Sequence, residues 1–296
     1  MNDANAKPAA ARRGRKGRVL EVWRRLKRNR LAMAGLAILA VLFLTALLAD
    51  LVAPFPSDKQ DLENTFSFPS RAHLFGTDEF GRDILSRVIH GSRISLSVGF
   101  LAVGFSVVIG GAIGAVAGFY GKRIDNVLMR FMDVLMSIPQ ILLAISIVAA
   151  LGPGLWNLMI AVGISSIPGY ARIVRASVLS IKDREYIEAA RAAGSGDARI
   201  IFRHIVPNCL APIIVQSTLG VATAILTAAG LSFIGLGIQP PTPEWGAMLS
   251  GGRGYIRDYW YMTLFPGLAI VFTILGLNVL GDGLRDALDP RLKSSR

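Results

Sequence analysis

Apolar residues collect along this chain in six long runs separated by polar stretches, over residues 31–49, 94–120, 134–151, 155–171, 211–233 and 260–281. An α-helix rises about 1.5 Å per residue and a bilayer's hydrocarbon core is about 30 Å thick, so roughly 20 apolar residues make one crossing. All six runs meet or approach that length, and none contains Asp, Glu, Lys or Arg. The pattern predicts an all-α membrane protein with six transmembrane helices. The first run is long, is preceded by about thirty residues and lacks a small-x-small cleavage site leading into a soluble domain, so it reads as a retained anchor.

Composition agrees. With 52% hydrophobic residues, 18% charged residues and a mean hydropathy of +0.50, too little polar surface exists to cover a water-soluble fold. The net charge of +12 invites a nucleic-acid reading, so its distribution decides. Lys and Arg number eleven in residues 1–30, three in 121–130, seven in 172–204 and four in 284–296, against seven in 50–93 and 238–259 together. Positive residues stay on the cytoplasmic side, which places both termini, a short turn at 121–130 and the 172–204 loop inside. The excess charge is topology, and no nucleic-acid partner is needed. Residues 12–30 can also attract anionic lipid headgroups, making membrane lipid a partner.

The span interiors carry two signals. Gly110, Gly114 and Gly118 form overlapping G-x-x-x-G steps, which let another helix backbone come close, most simply within this chain. Pro139 and Pro168 interrupt the third and fourth spans and predict bends. The span centres have no ionisable group, which argues against an ion-driven carrier, a channel or an intramembrane enzyme. Arg130 and Asp133, three residues apart, read as an interfacial pair. One cysteine, Cys209, and three scattered histidines, His73, His90 and His204, point away from a disulfide framework and a metal site. No phosphate loop and no nucleophile-base-acid or paired-carboxylate set can be assembled, so we expect no catalytic residue, metal or cofactor.

A charged, helix-forming island, EYIEAARAAGSGDARIIFRHIVP, occupies residues 185–207 between the fourth and fifth spans. Asp183 can cap a short helix over 184–193, with Gly194 as its left-handed stop; Asp197 can cap a second helix leading into the fifth span. Ile187, Ala190 and Gly194 would share a small-residue face suited to a partner's groove. Composition alone equally permits an amphipathic loop lying on lipid headgroups.

Glu188-Ala189-Ala190, Gly194 and Pro207 in that spacing resemble the EAA loop of permease subunits of bacterial ABC importers. Two external stretches, HLFGTDEFGRDILSRVIHGSR over 73–93 and LSFIGLGIQPPTPEWG over 231–246, are similar to the C-type permease of the dipeptide and oligopeptide importer branch. The likeness runs from the first span to the closing GDGLRDALDPRLK. One departure is that His204 and Val206 stand where the family's Ile-x-Leu-Pro ending has Ile and Leu.

The resemblance implies a type I ABC importer permease bundle in the bacterial inner membrane, without catalysis of its own. It also implies a homologous second permease subunit, two cytoplasmic ABC ATPase subunits and an extracytoplasmic solute-binding protein as partners. Tyr186, Glu188, Ala189, Ala190, Arg191, Gly194 and Pro207 become the expected ATPase-docking loop. The chain then divides into a basic segment 1–30, a first helix 31–53, an external segment 54–93, a five-helix core 94–283 containing the loop 183–207, and a tail 284–296. Within the external segment, Phe80, Ile84, Leu85 and Val88 predict an amphipathic helix on the outer membrane boundary. Gly235-Leu236-Gly237 lacks the strand-turn-helix context of a dinucleotide site, and the Pro-rich turn behind it is read as ending the fifth helix. Glu244, Trp245 and Tyr255 are offered externally, and an aromatic belt or a solute-binding protein would account for Trp245, Tyr259 and Trp260 equally well.

Overall fold

In the computed structural model, residues 15–288 are described, and they form a helical bundle with no β-ladder among them beyond an isolated bridge from Thr77 to Asp83. Helix α1 (Arg15–Arg28) leads into α2 (Arg30–Leu47), whose first turn is capped by the Asn29 side chain accepting from the Ala32 amide at 3.1 Å. A single turn, α3 (Ala49–Val52), completes the first crossing. After an external loop the chain enters α4 (Ile84–Tyr120), 37 residues long and capped by Asp83 on the Ser86 amide at 2.8 Å. Residues 84–93 are therefore the first turns of the second span, and no separate interfacial helix forms there. The stretch 84–120 contains no proline, so nothing stops a helix once Asp83 starts it.

Gly121, at φ +63°, ends α4, and the expected turn at 121–130 is instead part of α5 (Lys122–Met136). Pro139 does more than bend the third span. It separates α5 from α6 (Gln140–Leu151), with an angle of 86° between them. Proline lacks the amide that would continue the ladder and drives the preceding residue, Ile138, away from helical geometry. Helix α7 (Leu155–Leu179) contains Pro168 and runs about two turns beyond the expected end of the fourth span. The cytoplasmic loop holds α8 (Glu185–Ala192) and α9 (Asp197–Ile200), followed by α10 (Val206–Phe233). Externally, α11 (Trp245–Gly252) precedes α12 (Tyr261–Leu288), so the tail expected from 284 begins inside a helix. Five of these helices are long and apolar enough to cross a membrane, and the bent α5–α6 pair makes a sixth.

The most extensive helix pairing is α4 against α7. A methyl group on Gly110 or Gly114 would overlap the carbonyls of Ile167 and Ala171, and one on Gly118 would strike the Val178 side chain. The glycine steps thus bring two helices of this chain together, where dispersion between close backbones replaces the hydrophobic effect that lipid does not supply. Leu96, Val98, Ala102 and Val103 of α4 join Leu158, Val162 and Tyr170 of α7 and Val221, Ala222 and Ile225 of α10 in the central core. Helix α2 packs on α12 through Gly35, which faces the Gly276 carbonyl. Leu31, Leu47 and Val108 remain exposed on the perimeter, as lipid-facing side chains must.

Candidate functional site

The cytoplasmic loop is held by buried isoleucines, Ile187 on α8 and Ile200, Ile201 and Ile205 beyond it. Ile187 of α8 is 0% exposed and packs with Val174, Val178 and Ile181 below it and Ile200, Ile205 and Cys209 beyond the turn. Ile187 accordingly faces the bundle and cannot also serve a partner's groove. Tyr186, Glu188, Ala189 and Arg191 of α8 are exposed, and Ala190 is half-buried. Arg191 also lies over the Phe119 ring at 5.9 Å, a cation–π contact that ties α8 to the end of α4.

Gly194 stops α8 at φ +78°. The Ser195 amide donates to the Ala190 carbonyl and the Gly194 amide to Arg191, both at 3.0 Å, which is the paired Schellman termination. Position 184 takes the cap geometry with no side-chain bond, and Gly196 does so for α9, so neither Asp183 nor Asp197 caps as expected. From α9 the chain passes through a π-helical turn (Ile201–Ile205) directly into α10, whose second residue is the exposed Pro207. Proline's missing amide is harmless in a first turn. On this segment Phe202 is 74% exposed and Tyr186 40% exposed, two aromatic rings on a charged surface.

Two ion pairs brace the neighbouring helix ends. Arg172 meets Asp133 at 2.5 Å, and Arg175 grips Asp125 through Nε and Nη2 at 2.5 and 2.6 Å, so α5 is strapped to α7. Asp133 therefore pairs across helices with Arg172, in place of the expected partner Arg130.

Between α5, α6, α7 and α10 lies a cavity of about 310 Å³. Its polar lining comprises Gln140, Ser165, Ser166, Tyr170, Gln216 and Thr223. Gln140 donates from Nε2 to Ser166 Oγ at 2.9 Å, and the Tyr170 hydroxyl donates to the Gln216 carbonyl at 3.4 Å. These neutral residues escape a sequence search confined to ionisable groups; their only signal is that polar side chains recur within apolar runs.

The external end holds a buried polar cluster. Asp78 accepts from the Phe80 and Arg82 amides at 2.9 Å and from Arg82 Nε at 2.6 Å, with Arg87 Nε at 3.6 Å. Arg87 also donates to the Ser57 carbonyl at 2.9 Å. Beside them, burial raises the Glu79 carboxyl above its usual range. Trp245 is 0% exposed, with its indole N–H donating to the Val88 carbonyl at 3.0 Å. Glu244, buried too, caps α11 by accepting from the Gly246 and Ala247 amides at 2.9 and 2.8 Å. Neither residue is offered to a partner or to an aromatic belt, whereas Trp260 and Tyr255 are exposed. The fifth helix ends at Phe233, with Gly235 at φ +85°, ahead of the proline run credited with stopping it.

A bundle of five helices long and apolar enough to cross a membrane and one pair broken at Pro139, with a helix-turn-helix element on the positive side, fits the architecture of an importer permease. Residues 110–294 match the binding-protein-dependent transport system inner membrane component family, and residues 19–69 match the N-terminal transmembrane domain of oligopeptide transport permease C. The chain belongs to the family of binding-protein-dependent transport system inner membrane components. It is 49% identical over 274 residues to the dipeptide transport system permease protein DppC of Alkalihalophilus pseudofirmus, covering 93% of this chain and 90% of that one. It is 46% identical over 281 residues to the di/tripeptide transport system permease protein DppC of Pseudomonas aeruginosa, covering 93% of each. The glutathione transport system permease protein GsiD of Pectobacterium atrosepticum is 45% identical over 280 residues, covering 93% of this chain and 91% of that one. In fold, the chain is similar to the inward-facing MetNI methionine ABC transporter, with a TM-score of 0.57 at 20% identity over 70% of this chain and 98% of that one. The protein is thus a multi-pass inner-membrane permease subunit of an ABC importer, a non-catalytic component that works with ATPase and binding-protein partners.

Proposed function

We propose that this permease pairs with a homologous second permease and two cytoplasmic ATPases to import short peptides delivered by an extracytoplasmic binding protein. The solute class is supported by the relatives, whose names cover dipeptides, tripeptides and glutathione, all molecules built on amide links. The exposed α8–Gly194–α9 element carries the docking half of the proposal, because it joins the fifth span through an unbroken helical path from Asp197 to Phe233. Tyr186, Glu188, Ala189, Ala190, Arg191, Gly194 and Pro207 form the ATPase-docking region in this reading. Of these, Glu188 and Tyr186 make the outward contact, Arg191 holds the element to α4, and Gly194 sets the turn. Closure of the ATPases on nucleotide then pushes α8, tilts the base of α10 and biases the bundle between outward and inward access. Direction comes from the different affinities of the two states for nucleotide and solute, with no chemistry in this chain.

The test is nucleotide-dependent uptake of a labelled dipeptide into vesicles holding the full complex, alongside a Glu188→Lys complex. The wild type should take up peptide only with ATP, and the variant should retain membrane insertion while losing solute-stimulated ATP hydrolysis. Full stimulation in the variant would remove Glu188 from the contact; peptide uptake by this chain alone would overturn the docking mechanism.

A further inference from the structure

The cavity between α5, α6, α7 and α10 has a lining whose chemistry narrows what it can recognise. Resting on the transport reading above, we propose that this cavity is the chain's half of the solute path and engages the peptide group itself, leaving the charge of the solute's side chains unread. Each lining polar group is a neutral amide or hydroxyl, able both to donate and to accept. A peptide bond offers one N–H and one C=O whatever its side chains, and that pair is what such groups complement. A fixed charge in the same space would attract or repel particular residues at several times the strength it has in water.

The structure prepares the lining and keeps charge away from it. Tyr170 is buried along its ring, and Gly220 leaves the space its hydroxyl occupies: a methyl group at 220 would strike that oxygen. The break at Pro139 turns α6 away from α5, and Gln140, the first residue of α6, lines the cavity together with Gln216. The nearest ionic groups along these helices, Arg172 and Asp133, stand one turn from Gly169 and Met136 of the lining and neutralise each other. Gln216 and Thr223 lie seven residues apart on α10 and so present the same face, with Thr223 exposed.

Gln216→Lys and Gln216→Glu, in the complete complex reconstituted with its ATPases and binding protein, test the idea against dialanine, lysylalanine and glutamylalanine. The ratio of lysylalanine to glutamylalanine uptake should fall on the order of tenfold with Lys and rise by a similar factor with Glu. Gln216→Asn should keep the wild-type ratio. Thr223→Lys and Thr223→Glu, on the same face, give a second pair if the first fails to assemble. Unchanged ratios in active complexes would overturn the inference and mark this face as packing surface for the second permease. Loss of ATP dependence in the wild type would instead count against the proposed function, so the two failures are distinguishable.

Discussion

The two polar ends of this bundle are built on opposite principles. Outside, Asp78, Arg82, Arg87, Asp83 and Glu244 are buried and bonded to one another, to backbone amides and to Ser86 and Ser95. Inside, the charged residues of α8 lie at the surface, and the element is fixed from beneath by isoleucines. Buried charges hold a geometry only while every partner stays in place, which gives a rigid end. A surface element pinned by an apolar root keeps its polar side exposed. The difference separates an end fixed by buried ion pairs from a surface element fixed only at its apolar root.

Breaking the rigid end should have the largest effect. Asp78→Ala leaves Arg82 and Arg87 buried without their carboxylate and should cost about 3–5 kcal/mol, read as a lowered midpoint of thermal unfolding in detergent. Should the midpoint stay put, the external cluster is solvated and the contrast falls. On the other side, Ile187→Ala removes the root of α8 and should cost about 2–5 kcal/mol locally. The readout is faster proteolysis within 184–199 with the spans intact, together with weaker ATPase co-purification. Smaller still is Gly194→Leu, which forces a left-handed backbone on a branched side chain at about 1–2 kcal/mol. A methyl group there meets nothing within 4 Å, so the penalty is conformational and not steric. Insertion should survive while ATPase recovery drops, and normal recovery would show that the turn does not position the docking face.

The finest probe is pH at Glu79. Burial raises its folded carboxyl above the unfolded value of 4.5, so protonation favours the folded state. That contribution is full below the ordinary carboxylate range and is lost as pH rises through the raised folded value. Stability of the external end should therefore fall slightly on going from acidic to neutral pH, and Glu79→Gln should flatten the dependence. A slope unchanged by the substitution would assign it to another group.

Much of the architecture was legible beforehand because lipid imposes one dominant rule, that backbone polar groups must be satisfied within a helix. Six apolar runs became six crossings, and the spacing of Gly110, Gly114 and Gly118 marked a close helix contact. The departures share a cause. Asp133, Trp245 and Ile187 read from their sequence neighbours or from a typical surface role, and each finds its partner on another helix. Pro139 reads as a bend and is a break, with α5 strapped to α7 through Asp125 and Asp133. The loop's existence and its Gly194 turn were readable from local backbone chemistry; which side of α8 faces inward was not.

Sequence by itself determined the number of crossings, their direction and the loop between the fourth and fifth, since hydropathy, charge asymmetry and glycine's access to positive φ act locally along the chain. Tertiary structure alone decided that Asp78 is buried against Arg82 and Arg87, that Ile187 roots the cytoplasmic loop and that Gln140 and Gln216 share a cavity. Those outcomes depend on which helices meet and at what angle, and close packing between distant segments is a property of the folded bundle that no single stretch of residues carries.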